Sequence, residues 1–368
     1  MSHSRAGSLR RKDPMRIGFL PVSDCAPVVY AQEAGLFDNY GLDVELHREE
    51  RWGTMAQKII EGDLDAAHAA ATLPFLANLG LESDPCACVS GLVLSLQGNA
   101  VVLSRKLWEQ GVGDPETLRD RIYQTWGKHT YTFAVSLRNS SQEILLRKWL
   151  TSAGMTSPSQ LRVIALPANQ MFPTLKLGYI DGYCASEPWP AMAVQAGLGV
   201  CLATSAELAP WHPEKVLMVR QSFAAGSAAE HERLLAALLE ACTFCDEPQN
   251  AGSLSQMLAA RHYVDAPAEC IAAGLSSADG GPAKSNQPPP CSVFARHGAN
   301  EPDDHKARWL TSNLEPLLQD SVFRSADLEH TPVLKNIFRM DVFARAKQLA
   351  PNRTQPPNPA SAVLGVLV

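Results

Sequence analysis

The sequence predicts an α/β protein of two lobes, and three observations predict it. Short β-type runs alternate with amphipathic stretches from residue 15 onward, the order expected of a sheet with parallel neighbours and helices on its faces. The 368 residues, 46% of them hydrophobic, are enough to bury a large core shared by two lobes. The alternation also restarts beyond a strand-rich passage near residue 100 and later returns towards its starting side, so the chain crosses between lobes twice.

In the first lobe, RIGFLPV from Arg16 is a strand, and Ala26 to Gly41 is an amphipathic stretch ending on a glycine suited to a helix C-terminus. LDVELHRE is the second strand, GTMAQKIIEGDL the next helix, DAAHAA a short apolar run, and TLPFLANLGLES resumes helical spacing. CACVSGLVLSLQGNAVVLS is strand-rich. TFAVSLRNSSQEILLRKWLTSAG then opens a β-α unit whose helix has N-cap chemistry in Asn139, Ser140 and Ser141. LRVIALP, MFPTLKLGYI, DGYCASEPWPAMAVQAG and GVCLATS continue the alternation. LAPWHPEK follows as a mixed polar turn that seats Lys215 and returns the chain to the first lobe.

These readings divide the chain into a disordered N-terminus (1–14), lobe I (15–100 and 206–275) and lobe II (101–205). SSADGGPAKSNQPPP, rich in proline, glycine and serine, marks a linker over 276–292. Helical spacing in HKARWLTSNLEPLL and VLKNIFRMDVFARAKQLA predicts a C-terminal helical extension over 293–350 that packs on the lobes, and 351–368 reads as a frayed tail.

A formal charge of −6 with both signs interspersed gives no electrostatic footprint for nucleic acid. The N-terminal Arg-Arg-Lys is not followed by an apolar export segment, because Pro21, Asp24 and Pro27 interrupt it, and no apolar run reaches bilayer length. The expectation is therefore a cytoplasmic protein that does not enter the membrane. Nine cysteines, an odd number in apolar surroundings, read as reduced and mostly buried. The pairs Cys86/Cys88 and Cys242/Cys245 raise the question of zinc, but the second pair fits a helical core stripe, so no metal site is expected. His68 and Cys88 lie in small-residue or apolar runs without a partner in sequence, no nucleophile-and-base spacing is present, and no catalytic residue is assigned.

Five segments then carry a family resemblance, in the family's own order: MRIGFLPVSDCAPVVYAQEAGLF, SLQGNAVVLS, SSQEILLRKWL, PANQMFPTLKLGYIDGYCASEPW and WHPEKVLMVR. Over roughly residues 15 to 350 the chain resembles the nitrate-binding proteins of ABC importers, and most of all the cytoplasmic nitrate/nitrite sensors of the NasS type. The resemblance implies a two-lobed periplasmic-binding-protein fold of type II whose interlobe cleft closes on one small planar anion. It implies ligand contacts from Trp52, from Gln97 or Asn99, from Gln142 and from Lys215, with Gly53, Glu187 and Trp189 bordering the cleft. Gln142 stands where the importers usually carry histidine. Relatives that bind bicarbonate carry a carboxylate, paired with calcium, at the position of Lys215.

The chemistry of nitrate suits these residue types. It is a weakly basic trigonal monoanion, so its burial calls for hydrogen-bond donors and one compensating positive charge. Lys215 is the expected charge, while the Trp52 indole and the amides are neutral donors. Taken singly, Trp52 reads as a rim or core aromatic, Lys215 as a solvated lysine and Glu187-Pro188-Trp189 as a strand-to-helix turn. The function implied is a nitrate/nitrite sensor, without cofactor or enzymatic activity. When ligand-free, it would hold a NasT-type antiterminator, an ANTAR RNA-binding response regulator. The alternatives are the solute-binding component of a nitrate importer and, less favoured, a bicarbonate binder or an enzyme of the pyrimidine-synthesis type.

Overall fold

The computed structural model describes residues 13–81, 84–156, 161–275, 292–318, 328 and 331–350. Of the expected linker at 276–292 all but Ser292, together with the tail and the residues before Asp13, lies outside them. Among the described residues eleven strands form two sheets. The first contains β1 (Met15–Phe19), β2 (Val44–Arg48), β3 (Ala66–Ala70), β4 (Cys88–Val89), β5 (Val93–Leu96) and β11 (Pro213–Arg220); its order is β2-β1-β3-β11-β4, with β5 also paired to β11. The second contains β6 (Asn99–Ser104), β7 (Tyr131–Val135), β8 (Leu161–Ala165), β9 (Gly182–Ser186) and β10 (Gly199–Thr204), in the order β10-β6-β9-β7-β8.

The parallel neighbours expected of the opening alternation are present, but both sheets also contain antiparallel strands. β1 runs parallel to β2 and β3, and β7 parallel to β8 and β9, through β-α-β units. The strands reached by crossing between lobes run the other way: β11 is antiparallel to β3, and β6 to β9 and β10. Antiparallel neighbours need no crossover helix packed on the sheet, which is the arrangement these crossing strands take. β11 also corrects the reading of Lys215 as a turn residue, since Lys215 pairs with Ala70 inside the strand.

Local chemistry explains the elements around the cleft. β3, AAHAA, is buried at all five positions, as a strand covered on both faces must be. Helix Trp52–Glu61 buries Trp52, Met55 and Ile59, one face at helical spacing, and stops at Gly62 in the left-handed conformation. It can lie close to β1 because residue 18 is glycine: a Cβ there would stand 2.6 Å from Leu64 Cδ1 and 3.1 Å from Met55 Cγ. Helix Ser141–Thr151 is capped by Ser140, whose hydroxyl accepts from the Glu143 amide. The first crossing turns at Gln97 and Gly98, both at positive φ, and a Cβ on Gly98 would collide with Ser292 Oγ.

One continuous apolar cluster runs from Trp52 and Phe75 beside the first sheet to Met171, Tyr183 and Trp189 beside the second, so the lobes are packed together. Separate clusters fill the outer side of each lobe. Of the C-terminal extension, helix Met340–Leu349 packs on helix Ala228–Cys245 and helix Asp304–Leu318 on helix Ser141–Thr151, one on each lobe. Cys242 and Cys245 are buried in that long helix, and Cys86 Sγ lies 3.9 Å from Cys88 Sγ. Segments not assigned from the sequence, Arg105–Glu109 and Pro115–Gln124, form two helices on the second lobe.

Candidate ligand-binding site

The carboxyl ends of β1, β3, β7 and β9 converge between the two sheets, the place where open α/β sheets bind ligands. The amino end of helix Trp52–Glu61, the start of β6 and the first residues of β11 join them there. Lys215 is fully buried. Its ammonium lies 2.6 Å from Glu214 Oε1 and 2.9 Å from Asp24 Oδ2, donates to Ser186 Oγ at 3.1 Å, and stands 5.4 Å from the centre of the Trp52 ring.

From Ser186 the hydrogen bonds continue without a break. Ser186 Oγ donates to Asn99 Oδ1 at 2.9 Å, and Gln142 Nε2 donates to Asn99 Oδ1 at 3.2 Å and to Ser186 Oγ at 3.3 Å. Gln142 Oε1 accepts from the amide and hydroxyl of Ser136, and that hydroxyl accepts from Trp52 Nε1 at 2.9 Å. Trp52, Asn99, Gln142 and Lys215 thus belong to one network, linked by Ser136 and Ser186. Within it Asn99 Nδ2 is a buried donor with no partner, and Nδ1 of the neighbouring His68 is a buried nitrogen with none. Buried polar groups are normally satisfied, so these nitrogens mark a place for a ligand.

Gln97 is drawn elsewhere. Its Oε1 accepts from the Trp211 amide at 3.1 Å, so Asn99 is the side chain of that segment that joins the network. Gly53 is exposed and lines a small hollow with Ala56, Ile60 and Leu76. Glu187 and Trp189 are buried where β9 passes into helix Trp189–Gln195. The Glu187 carbonyl accepts from the Ser23 amide of the other lobe at 2.7 Å, its Oε2 accepts from the Ala191 amide, and its Oε1 has no partner.

Asp24, Glu214, His212, Ser136, Ser141 and Ser186 escaped the sequence reading, in which His68 stands only as an isolated residue without a partner. Ser141 Oγ donates to Glu214 Oε2 across the lobes, His212 Nε2 lies 3.3 Å from the same oxygen, and His68 Nε2 lies 3.1 Å from Asp24 Oδ1. Asp24 and Ser186 could have been found from their positions at strand carboxyl ends; Glu214 offered only its place beside Lys215.

The electrostatics correct the expected role of Lys215 as a free compensating charge. Burial raises the Asp24 carboxyl, but the Lys215 ammonium and His68 outweigh it and hold the group below its ordinary range. Burial and the same ammonium act on Glu214 with the same outcome, helped by His212. Burial disfavours the charged form of Lys215, yet Asp24 and Glu214 raise its pKa above normal. Two carboxylates and one ammonium leave a net charge of one negative before the imidazoles are considered. Glu187, with no cation beside it, is pushed up to about 8 by burial, partly opposed by the Ala191 amide. Among the described residues no group of three or more His, Cys, Asp or Glu is arranged to hold a metal ion, and no helix is long and apolar enough to cross a membrane.

A family model described as the NMT1-like family matches residues 10–259. The nitrate import ATP-binding protein NrtC of Synechocystis sp. is 34% identical over 317 residues, 85% of this chain and 47% of that protein. The bicarbonate transport ATP-binding protein CmpC of Synechococcus elongatus is also 34% identical, over 82% of this chain and 44% of its own length. The nitrate/nitrite binding protein NrtA of Synechocystis sp. is 27% identical over 70% of this chain and 58% of its length. The chain therefore spans about half the length of these curated relatives.

Among solved structures, the periplasmic nitrate-binding protein NrtA from Synechocystis superposes with a TM-score of 0.81 at 22% identity, covering 96% of this chain and 98% of that one. The alkanesulfonate-binding protein SsuA from Xanthomonas axonopodis, bound to MOPS, gives 0.61 at 14% identity, covering 92% and 99%. At such identities the structures speak to the fold, which is the two-lobed periplasmic-binding-protein fold. The fold and the family match together place the chain: it belongs to the NMT1-like family and is an NrtA-like member of it.

Proposed function

We propose that this protein binds nitrate or nitrite between its lobes and acts as a sensor of the anion. The observation that carries the reading is the buried network of Trp52, Asn99, Gln142, Ser186 and Lys215. It gathers neutral donors and a cation from both lobes and leaves the Asn99 amide nitrogen without a partner. A trigonal monoanion needs such convergent donors, and the names of NrtC and NrtA point to the same anion. The reading is of a binder and not an enzyme: the buried thiols Cys25 and Cys184 are pushed up by burial and so held as poor nucleophiles.

The sensor step rests on the sequence resemblance to the NasS type. In that role the protein acts in the cytoplasm, and its ligand-free form holds a NasT-type antiterminator that the anion releases. Release requires the partner to prefer one lobe arrangement and the anion the other. Size-exclusion chromatography of the protein with its antiterminator partner tests this step: nitrate or nitrite should split the complex, and a complex that survives saturating anion would sink the sensor role.

A second reading, the solute-binding component of a nitrate importer, is favoured by the relatives themselves, which are named as import and binding proteins. Cell fractionation separates the two, since an importer component would be recovered with the transport complex or outside the cytoplasm.

A further inference from the structure

We infer that the site takes up its anion together with a proton, and that His212 and His68 supply the positive charge which Lys215 cannot. The inference rests on the anion-binding reading above and names what that site requires of its ligand.

It begins from a count of buried charge. Asp24, Glu214 and Lys215 are all at most 1% exposed, and the ammonium is already shared between the two carboxylates at 2.9 and 2.6 Å. With both imidazoles neutral the cluster carries one net negative charge. Adding an acceptor-only monoanion would make two, in a place closed to water, where uncompensated charge is costly.

The geometry of His212 shows where a positive charge can come from. Its Nδ1 lies 2.8 Å from the Ala209 carbonyl oxygen and its Nε2 3.3 Å from Glu214 Oε2. A carbonyl and a carboxylate only accept hydrogen bonds, so this ring satisfies both neighbours only as the imidazolium. Its face packs against Trp309, with ring centres 5.2 Å apart, and adds no competing charge. His212 in that form brings the cluster to zero before an anion arrives.

His68 provides the second step. Its Nε2 faces Asp24 Oδ1 at 3.1 Å, its Nδ1 is buried without a partner, and its ring lies 5.9 Å from the Trp52 ring. A proton added at Nδ1 would offset the incoming negative charge. The other titratable groups around these two rings cannot do so. The thiols of Cys25 and Cys184 are neutral when protonated, and Glu187, already pushed up to about 8, has no positive form. The guanidinium of Arg138 is bound to Glu143. The balance is one anion and one proton from solvent entering together, with no bond made or broken beyond N–H.

The test is titration calorimetry of nitrate and nitrite into the full chain at pH 8, in Tris and in triethanolamine, whose ionisation enthalpies differ. The expected result is a difference in apparent enthalpy equivalent to about one proton taken up per anion, with Kd rising about tenfold per pH unit over the coupled range. His68→Gln should lower the proton count, His212→Gln should weaken binding by removing a charge already present, and the unaltered chain reports the count even if one variant fails to fold. Binding with equal apparent enthalpies in both buffers and a Kd unchanged from pH 6 to 9 would overturn the inference alone. No binding of either anion under any condition would remove the anion-binding reading and this inference with it.

Discussion

Lys215 and Asp24 form an ion pair that is buried on both sides, with the ammonium nitrogen 2.9 Å from Oδ2 and neither side chain more than 1% exposed. Glu214 closes the cluster from the neighbouring position of β11. A lysine held this way is a structural centre as well as a site residue. That alters what its removal should do.

Lys215→Ala would leave two buried carboxylates without their cation, and breaking a buried pair costs about 3–5 kcal/mol. The variant should therefore unfold at a clearly lower urea concentration, so its loss of anion binding would not isolate the site. Lys215→Met combined with Asp24→Asn should recover part of the loss, because one of the two orphaned charges is gone. Equilibrium denaturation of the single and double variants measures the difference; equal stability of Lys215→Ala and the parent would show that the cluster is not buried as described.

The site is better probed at Asn99, whose Nδ2 has no protein partner. Asn99→Ala should weaken anion binding by about tenfold or more, the worth of roughly 1.4 kcal/mol or more for a hydrogen bond to a charged group. Asn99→Asp adds a negative charge and should abolish binding. Trp52→Phe removes the donor to Ser136 and should weaken binding less, through looser closure. Calorimetry on all three, with thermal melts to confirm folding, orders them.

Acid should loosen the cluster in a definite window. The folded-state values of Asp24 and Glu214 lie below the ordinary 3.8 and 4.5, so their contribution is complete above about pH 4.5 and is lost as pH falls through the depressed values. Glu187 has the opposite sign: raised from 4.5 to about 8, it favours the fold when protonated and opposes it increasingly between those values. Glu187→Gln should accordingly be more stable than the parent at pH 9, with the difference shrinking towards pH 4.5. Urea midpoints at four or five pH values check both signs.

Direct hydrogen bonds join the lobes at the site: Trp52 to Ser136, Ser141 to Glu214, Lys215 to Ser186 and the Ser23 amide to the Glu187 carbonyl. Ser136→Ala with Ser141→Ala removes two of them while leaving the Lys215–Asp24 and Lys215–Glu214 ion pairs in place. The double variant should populate a more open form, seen as a larger radius of gyration in small-angle scattering without ligand. An unchanged radius would mean that apolar packing alone sets closure.

Much of this was legible in the sequence because the signals were local. Strand and helix alternation, the Ser140 cap and the small-residue strand around His68 each depend on a few neighbouring residues. Asn99, Gln142 and Lys215 were legible only as parts of matching segments, and Trp52 only through the resemblance those segments carry, since Ser136, which joins Trp52 to the rest, gives no signal of its own. The partners of Lys215 were hidden for a different reason. Asp24 is 191 positions away by residue number, and the polar look of His212-Pro213-Glu214-Lys215 reads as a turn until β3 and β5 bury it as a strand. Tertiary burial overrode local propensity there, as it commonly does for strands. The mixed sheets were missed because the antiparallel strands arise from lobe crossings, which leave no periodicity to read.

The most direct measurement is calorimetry of the full chain with nitrate, nitrite, bicarbonate and chloride under one set of conditions. The account predicts saturable binding of nitrate or nitrite at one site per chain, with chloride and bicarbonate much weaker and with Asn99→Asp silent. Binding of bicarbonate in preference to both nitrogen oxyanions, or nitrate binding untouched by Asn99→Asp, would contradict it.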